Sequence, residues 1–285
     1  MQALIDKARV LAEALPWISR LRGRTVVVKI GGHAMDDPTT RAAFAEDVIL
    51  LRWVGIQLVV VHGGGPQIGQ MLARLGIESR FAGGLRITDA PTMAVVEMVL
   101  GGQVNKELVR LINQKGGAAV GLTGKDGNLA VARRVTSVGP DGIDPGLVGE
   151  VERVDVTVLT RLAADFIPVI APIAVDAAGT TLNVNADPFA ARLAVALGAE
   201  KLVLLTDVQG VKGADGALIA SLGAAHARRL IAEGVISGGM IPKVEWALTA
   251  LAEGVRKVHV IDGRLEHALL LEIFTDQGVG TEVVP

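Results

Sequence analysis

The sequence predicts an α/β protein built around a mainly parallel sheet, and three observations carry that prediction. Residues 25–30 (TVVVKI), 58–61 (LVVV) and 201–206 (KLVLLT) are continuous apolar runs rather than alternating ones, the pattern of strands buried on both faces. Between the first two, Phe44, Val48, Leu51 and Val54 recur at steps of three and four, which is one apolar face of a helix over 41–54. Strand, helix and strand in that order make a βαβ unit, whose strands run parallel.

Each further element follows from the same grammar. The opening stretch, MQALIDKARVLAEALPWISRLRGR, carries Asp6 and Glu13 and lacks a continuous apolar core, so it does not read as a signal peptide. After the second strand come three glycines, then Pro66 with Ile68, Met71, Leu72 and Leu75 at helical spacing; proline suits a first helical turn. Helices are expected over about 90–100 and 103–115, and a strand over 117–122. Residues 129–158, broken by GPDGIDPG, read as a β-hairpin excursion. FIPVIAPIAV (166–175) reads as one buried strand. The second half repeats the pattern: NADPFAARLAVALG is a helix, KLVLLT a strand, AAHARRLIAEG and PKVEWALTALAEG helices, RKVHVI a strand and EHALLLEIF a helix. A boundary falls near residue 180.

Composition narrows the function. At 285 residues the chain is long enough for one large α/β domain or two lobes. A net charge of −2 gives no footprint for nucleic acid or an anionic membrane surface. The absence of cysteine excludes disulfides and thiolate metal sites. No apolar run approaches the ~20 residues of a membrane span, so a cytoplasmic protein is expected. No His, Asp and Glu cluster has metal-ligand spacing, and no protein metal site is expected.

The glycine turns point to an anion. VVVKIGG (26–32) and VVVHGGG (59–65) both end strands of the βαβ unit, and ligands in open α/β sheets bind beyond the carboxyl ends of strands. Amides freed at such a turn and at the following helix N-terminus face a phosphate or carboxylate. A ligand-free tight turn would explain one such run; two together favour the anion. Dinucleotide and P-loop motifs fail: Ile68 stands where the third Gly of G-x-G-x-x-G belongs, and GLTGKDG (121–127) has the wrong spacing and Asp126 for Ser/Thr. Lys29 is the odd residue of its strand and precedes glycines. Lys243, placed just after Pro242 in the first turn of a helix, opposes the dipole unless an anion is shared there. Arg86 follows two glycines in GGLRIT (83–88), and arginine grips a carboxylate with two parallel hydrogen bonds. Asn183, Asn185 and Asp187 alternate in NVNADP; for Asp187 a plain N-cap role also stands open. Asp207 ends a strand. His62 reads as structural rather than catalytic.

Together KIGGHAM (29–35), VVVHGGGPQI (59–68), GGLRIT, VNKELV (104–109), GLTGKDGN (121–128), NVNADP, LLTDVQGV (204–211) and GGMIPKVEWAL (238–248) resemble, in order and over nearly the whole chain, the N-acetyl-L-glutamate kinase family of the amino acid kinase superfamily. The resemblance implies an open αβα sandwich and ATP-dependent phosphorylation of the side-chain carboxylate of N-acetyl-L-glutamate, the second step of arginine biosynthesis, with Mg²⁺ held by phosphates and waters. It implies that Lys29 and Lys243 flank the transferring phosphoryl and that Asp187 organises both. Gly64, Gly65, Arg86 and Asn183 would hold the amino acid; Gly31, Gly32 and Asp207 would serve the nucleotide. Residues 23–180 would form the amino-acid lobe and 181–285 the nucleotide lobe.

LAEALPWISRLRG (11–23) further resembles the N-terminal helix of arginine-inhibited members. That implies an oligomerisation and regulatory segment, residues 1–22, a hexamer built as a trimer of dimers, and L-arginine bound by Trp17, Glu272 and Gly278. A PII-type regulator is a further partner the resemblance allows. His33, Ile30, Trp17 and the bulky DPFA (187–190) depart from the family pattern without touching Lys29, Arg86, Asp187 or Lys243. Two other readings remain: a kinase of carrier-protein-bound aminoadipate in lysine biosynthesis, and a non-catalytic amino-acid-binding regulator on the same fold.

Overall fold

The apolar runs form the strands they predict. The computed structural model describes residues 1, 2, 5, 9, 12–31, 35, 37–275 and 278–285. Helix α1 (Leu15–Leu21) leads to strand β1 (Thr25–Ile30), helix α2 (Pro38–Trp53), strand β2 (Gln57–His62) and helix α3 (Gly65–Arg74). A short hairpin, β3 (Phe81–Ala82) and β4 (Leu85–Arg86), precedes α4 (Ala90–Glu97), a π-helical segment (Met98–Val104) and α5 (Asn105–Gln114). Strands β5 (Ala119–Thr123), β6 (Ala130–Arg134) and β7 (Val148–Val154), helix α6 (Thr157–Leu162), and strands β8 (Ile167–Ala171), β9 (Ile173–Val175) and β10 (Thr181–Val184) follow. The second half runs α7 (Ala186–Ala196), β11 (Lys201–Thr206), β12 (Ser221–Gly223), α8 (Ala224–Ala232), α9 (Met240–Ala252), β13 (Lys257–Asp262), α10 (Ala268–Phe274) and β14 (Thr281–Val284).

Eight strands form one sheet in the order β12-β14-β13-β11-β1-β2-β8-β5. Strand β1 pairs in parallel with β11 on one side and β2 on the other, so one sheet runs through both halves of the chain. The β13–β14 pairing is antiparallel. Helices cover both faces, as an almost wholly parallel sheet requires. Alternate residues feed two separate cores: Val26, Val28 and Ile30 join one with Phe44, Val48 and Leu100, while Val27 joins the other with Phe189, Leu193 and Val244. That parity places Lys29 on the face of Val27, toward α7 and α9, and His62 on the face of Leu58 and Val60, toward the π segment and α5.

Several sequence expectations need correction. FIPVIAPIAV is two strands: β8 lies in the large sheet, whereas β9 joins β6, β7 and β10 in a closed four-stranded barrel. Pro172 separates them, having no N–H to continue a ladder; its carbonyl accepts from Val184. The two helices expected over 90–115 form a continuous rod through the π segment. Gly101 and Gly102 do not break it because the wider turn absorbs them. The N-cap of α7 is Asn185, whose side chain accepts from the Asp187 amide at 3.0 Å, which leaves the Asp187 carboxylate free for other partners. Helix α9 begins at Met240, two residues before Pro242, so Lys243 is its fourth residue; proline is tolerated there because first-turn N–H groups have no partner within the helix. No described helix is long and apolar enough to cross a membrane.

Candidate functional site

The centre of the site is a carboxylate between two ammonium groups. Strand parity sends Lys29 toward α7, whose first turn presents Asp187. Helix α9, packed beside α7, brings Lys243 to the same group. Lys29 Nζ lies 2.8 Å from Asp187 Oδ1 and Lys243 Nζ lies 2.5 Å from Oδ2. The Lys243 contact is an aligned hydrogen bond. On the Lys29 side the ion pair is close but poorly angled, and Oδ1 finds no hydrogen-bond donor among the described residues. Burial alone would push the Asp187 carboxyl up; the two lysines outweigh burial and hold it at about 2. The cluster thus carries a formal net charge of +1 in a largely buried site, at the edge of a cavity an anion can enter.

A cavity of about 280 Å³ opens beside Lys29. Gly64, Gly65, Arg86 and Asn183, the four residues expected to hold the amino acid, all line it, and so does Gly31, which was expected to serve the nucleotide. Packing requires glycine at position 64, where a Cβ would lie 2.5 Å from Leu100 Cδ2; at Gly31 a Cβ would meet Nζ of the flexible Lys29 side chain at 3.1 Å, and at Gly65 it would meet open space. The two turns touch, with Gly63 N–H donating to the Ile30 carbonyl at 2.7 Å. Gly64 caps α3 without a side chain, so the first amides of that helix keep an acceptor position to fill. Arg86 donates through Nη2 to the Gly65 carbonyl at 2.9 Å and through Nη1 to Ser79 Oγ, and its guanidinium stacks 4.7 Å from the Phe81 ring centroid. Asn183 donates to Thr88 Oγ1 at 3.2 Å, and Thr88 in turn donates to the Arg86 carbonyl at 2.7 Å. Gly32 and His33 lie outside the described residues.

A second cavity, about 480 Å³, is lined by Asp207, Gln209, Lys212, Ser237, Met240 and Arg264. It reaches Met240 at the start of α9, three residues before Lys243 in the chain. Arg264 is forked onto the Asp262 carboxylate by two 2.8 Å hydrogen bonds. Among the described residues no group of three metal-ligating side chains is gathered, and both Asp187 oxygens face ammonium groups. That donor set does not fit a protein-held divalent ion.

Trp17, Glu272 and Gly278 meet in a third cavity of about 220 Å³, together with Lys201, Lys257, His259 and Glu282. Lys201 donates to His259 Nε2 at 3.0 Å, and His259 Nδ1 donates to Glu272 Oε1 at 2.6 Å. The Lys201 ammonium can only donate, so Nε2 is the acceptor and the ring proton is on Nδ1; burial lowers the His259 pKa against the pull of Glu272. Glu272 Oε2 accepts from the Val279 amide at 2.7 Å. Gly278 has φ +61°, and a Cβ there would approach Glu272 Oε2 to 2.8 Å.

Sequence reasoning passed over Lys201, His259 and Asn105. Lys201 had a readable signal, the one that marked Lys29: a lysine beside an apolar β run. His259 had none, and Asn105 was marked only by lying in VNKELV; the role of each depends on the partner the fold supplies.

Comparison with known proteins bears on this geometry. The amino acid kinase family model matches residues 24–262. A protein of Pelobacter propionicus named acetylglutamate kinase is 55% identical over 290 residues, covering 99% of each chain. The structure of N-acetylglutamate synthase from Neisseria gonorrhoeae complexed with coenzyme A and N-acetyl-glutamate aligns with a TM-score of 0.88 at 29% identity, covering 98% of this chain and 63% of that one. The same synthase complexed with coenzyme A and L-arginine aligns with a TM-score of 0.83 at 29% identity over 97% of this chain and 65% of that one. This chain therefore spans less than two thirds of the synthase's length. The matched span takes in the glycine turns, Lys29, Asp187 and Lys243, and the chain belongs to the amino acid kinase family.

Proposed function

We propose that this protein transfers the γ-phosphoryl group of ATP to the side-chain carboxylate of N-acetyl-L-glutamate, in arginine biosynthesis. The observation that carries this reading is the shared carboxylate: Lys29 and Lys243 converge on Asp187, and Lys29 lines a glycine-rich cavity together with Arg86 and Asn183. Both reactants are anions, and their repulsion is the principal obstacle. The two ammonium groups would face the phosphoryl oxygens from opposite sides, with the Gly64 and Gly31 backbone close by. Arg86 would pair with the substrate α-carboxylate and Asn183 would support it. A carboxylate oxygen attacks the γ-phosphorus, the bond to the bridging oxygen breaks, and ADP leaves with the electron pair. The nucleophile is already ionised at neutral pH, so no general base is needed. Asp187 does not serve as one; it holds the lysines together. Catalysis then rests on alignment and electrostatic stabilisation. Mg²⁺ would arrive on the nucleotide phosphates and keep much of its own water shell.

The third cavity supports a regulatory reading. A cation with a carboxylate of its own suits a space bearing Glu272, Glu282 and the Lys201 and Lys257 ammonium groups, which is the chemistry of L-arginine. Trp17 brings the N-terminal segment to that space, so occupation there would couple to α1 and, through it, to a hexameric assembly. The test of the catalytic reading is an assay with ATP and N-acetyl-L-glutamate, trapping the acyl phosphate as the hydroxamate. Robust hydroxamate formation, absent with unacetylated glutamate, is expected. No trapped product would overturn it. Adding arginine in the same assay tests regulation.

A further inference from the structure

Behind the glycine turn lies a buried polar pair that the proposed mechanism does not use. His62 ends β2 and Asn105 opens α5 directly after the π segment; both are fully buried. His62 Nδ1 lies 2.8 Å from the Gly63 carbonyl oxygen. Asn105 Nδ2 lies 3.1 Å from His62 Nε2, 2.9 Å from the Val169 carbonyl and 3.3 Å from the Leu122 carbonyl. These neighbours determine the proton positions. The Asn105 amide must turn its NH₂ toward two carbonyl oxygens, since its own oxygen there would be repelled. The Gly63 carbonyl can only accept, so the ring proton is on Nδ1 and donates to it, which leaves Nε2 the acceptor facing the Asn105 NH₂; the two amide hydrogens are shared among Nε2 and the two carbonyls. Asn105 Oδ1 finds no donor among the described residues and abuts Gly121, where a Cβ would lie 1.9 Å from it. The fold thus tolerates an unsatisfied amide oxygen while keeping the NH₂ face on His62. Burial holds the ring near pKa 4, with Lys106 adding to the effect against the Gly63 hydrogen bond, consistent with a neutral imidazole.

The consequence lies at the reacting end. A trans peptide sets its N–H opposite its C=O. With the Gly63 carbonyl drawn back to His62, the Gly64 N–H of the same peptide is directed away from the core, on the side where Gly63 and Gly64 line the cavity. Leu100 and Val104 of the π segment border Gly64, where an added Cβ would lie 2.5 Å from Leu100 Cδ2 and 3.4 Å from Val104 Cγ2, and Asn105 follows them in the chain. A π turn commonly marks a functional position, and here it sets both contacts. We propose that His62 and Asn105 form a positioning pair that aims the Gly64 amide at the developing negative charge of the reaction. This rests on the proposed phosphoryl transfer. The pair touches neither reactant and acts through one peptide plane.

Steady-state kinetics and NMR on the intact protein test it. His62→Leu is expected to lower kcat about 10²-fold, the range for a misaimed oxyanion-type donor, with KM for ATP and for N-acetyl-L-glutamate within about threefold. His62→Asn, whose amide can replace the Nδ1–H, is expected to recover kcat to within about tenfold of wild type. Asn105→Leu should cost about tenfold or more, and the double Leu variant should be no worse than about threefold below His62→Leu, because the pair acts as a unit. In the wild type, a long-range ¹H–¹⁵N correlation, assigned among the five histidines by the resonance lost in His62→Asn, is expected to show an Nδ1–H ring that does not titrate from about pH 5 to about pH 8. An Nε2–H or titrating ring overturns the proposal even if His62→Leu fails to fold. So does a folded His62→Leu with wild-type kcat, or a His62→Asn as impaired as His62→Leu. Wild-type protein that makes no hydroxamate overturns the proposed function instead, and the NMR result then stands apart from it.

Discussion

Replacing Asp187 with Asn leaves the shape of the site and removes the charge that holds it together. In the wild type the carboxylate makes two ion pairs, at 2.8 Å and 2.5 Å. With charge centres about 4 Å apart and an effective dielectric constant of about 20, each attraction is worth about 4 kcal/mol. Asp187→Asn removes both and leaves the Lys29–Lys243 repulsion unopposed. Breaking a buried charge network in this way costs about 3–5 kcal/mol of stability, a large share of the roughly 5–15 kcal/mol a domain possesses. The melting temperature should fall by roughly 10 °C. Catalysis should suffer more, because each displaced electrostatic contact is worth about 10²–10³ in rate and both lysines lose their anchor. The expected kcat loss is at least about 10³-fold. Nucleotide affinity should move the other way. The cluster changes from a net charge of +1 to +2, so KM for ATP should not rise. The hydroxamate assay at several ATP concentrations separates these effects. A kcat within about threefold of wild type would refute the assignment of the lysines, and so would a rise in KM for ATP with kcat unchanged.

Other substitutions probe the remaining parts. Arg86→Lys keeps the charge but loses the fork and the stacking on Phe81; KM for N-acetyl-L-glutamate should rise about 10- to 100-fold, the equivalent of about 1.5–3 kcal/mol for a charge-assisted bond, measured against an unchanged KM for ATP. Glu272→Gln removes the carboxylate that orders His259 and the 278–280 turn, and should shift arginine inhibition to concentrations at least about tenfold higher, read from dose–response curves. Asp47 on α2 pairs with His267 at 2.6 Å and carries a pH signature. Burial pushes its carboxyl up to about 6 against the pull of His267, and the Asp47 hydrogen bond in turn raises His267. Both folded values lie above the unfolded ones, so this stability is present below about pH 4 and is lost as pH rises through 6 and past the histidine range. The stability advantage of wild type over Asp47→Asn, followed by melting temperature, should therefore shrink from pH 5 to pH 8, by about 1.4 kcal/mol for the aspartate, the part of its shift that lies between pH 5 and about 6. A constant or growing advantage would contradict it.

Much of the architecture was legible before any coordinate. A strand buried on both faces must be apolar throughout, so TVVVKI, LVVV and KLVLLT announced a parallel sheet, and the helices between them declared their apolar faces. Lys29 stood out because a charge in such a run needs a partner, and the paired glycine turns stood out because bare backbone invites an anion. By contrast, short strands such as β12 and β14 have too few residues to show a period. The split of 166–175 between two sheets depends on where Pro172 falls relative to a barrel that nothing local announces.

Read along the chain, the unusual residues name themselves: a lysine among valines, an arginine after glycines, an aspartate among asparagines. Which of them meet is settled by packing in three dimensions. Strand parity and the packing of α9 on α7 brought Lys243, more than two hundred residues after Lys29, to the same carboxylate. The N-cap passed to Asn185, which freed Asp187 for that task. His62 looked inert until Asn105 arrived behind it. Ion pairs and hydrogen bonds between distant residues leave no local periodicity, because their energy depends on separation in space and hardly at all on separation along the chain.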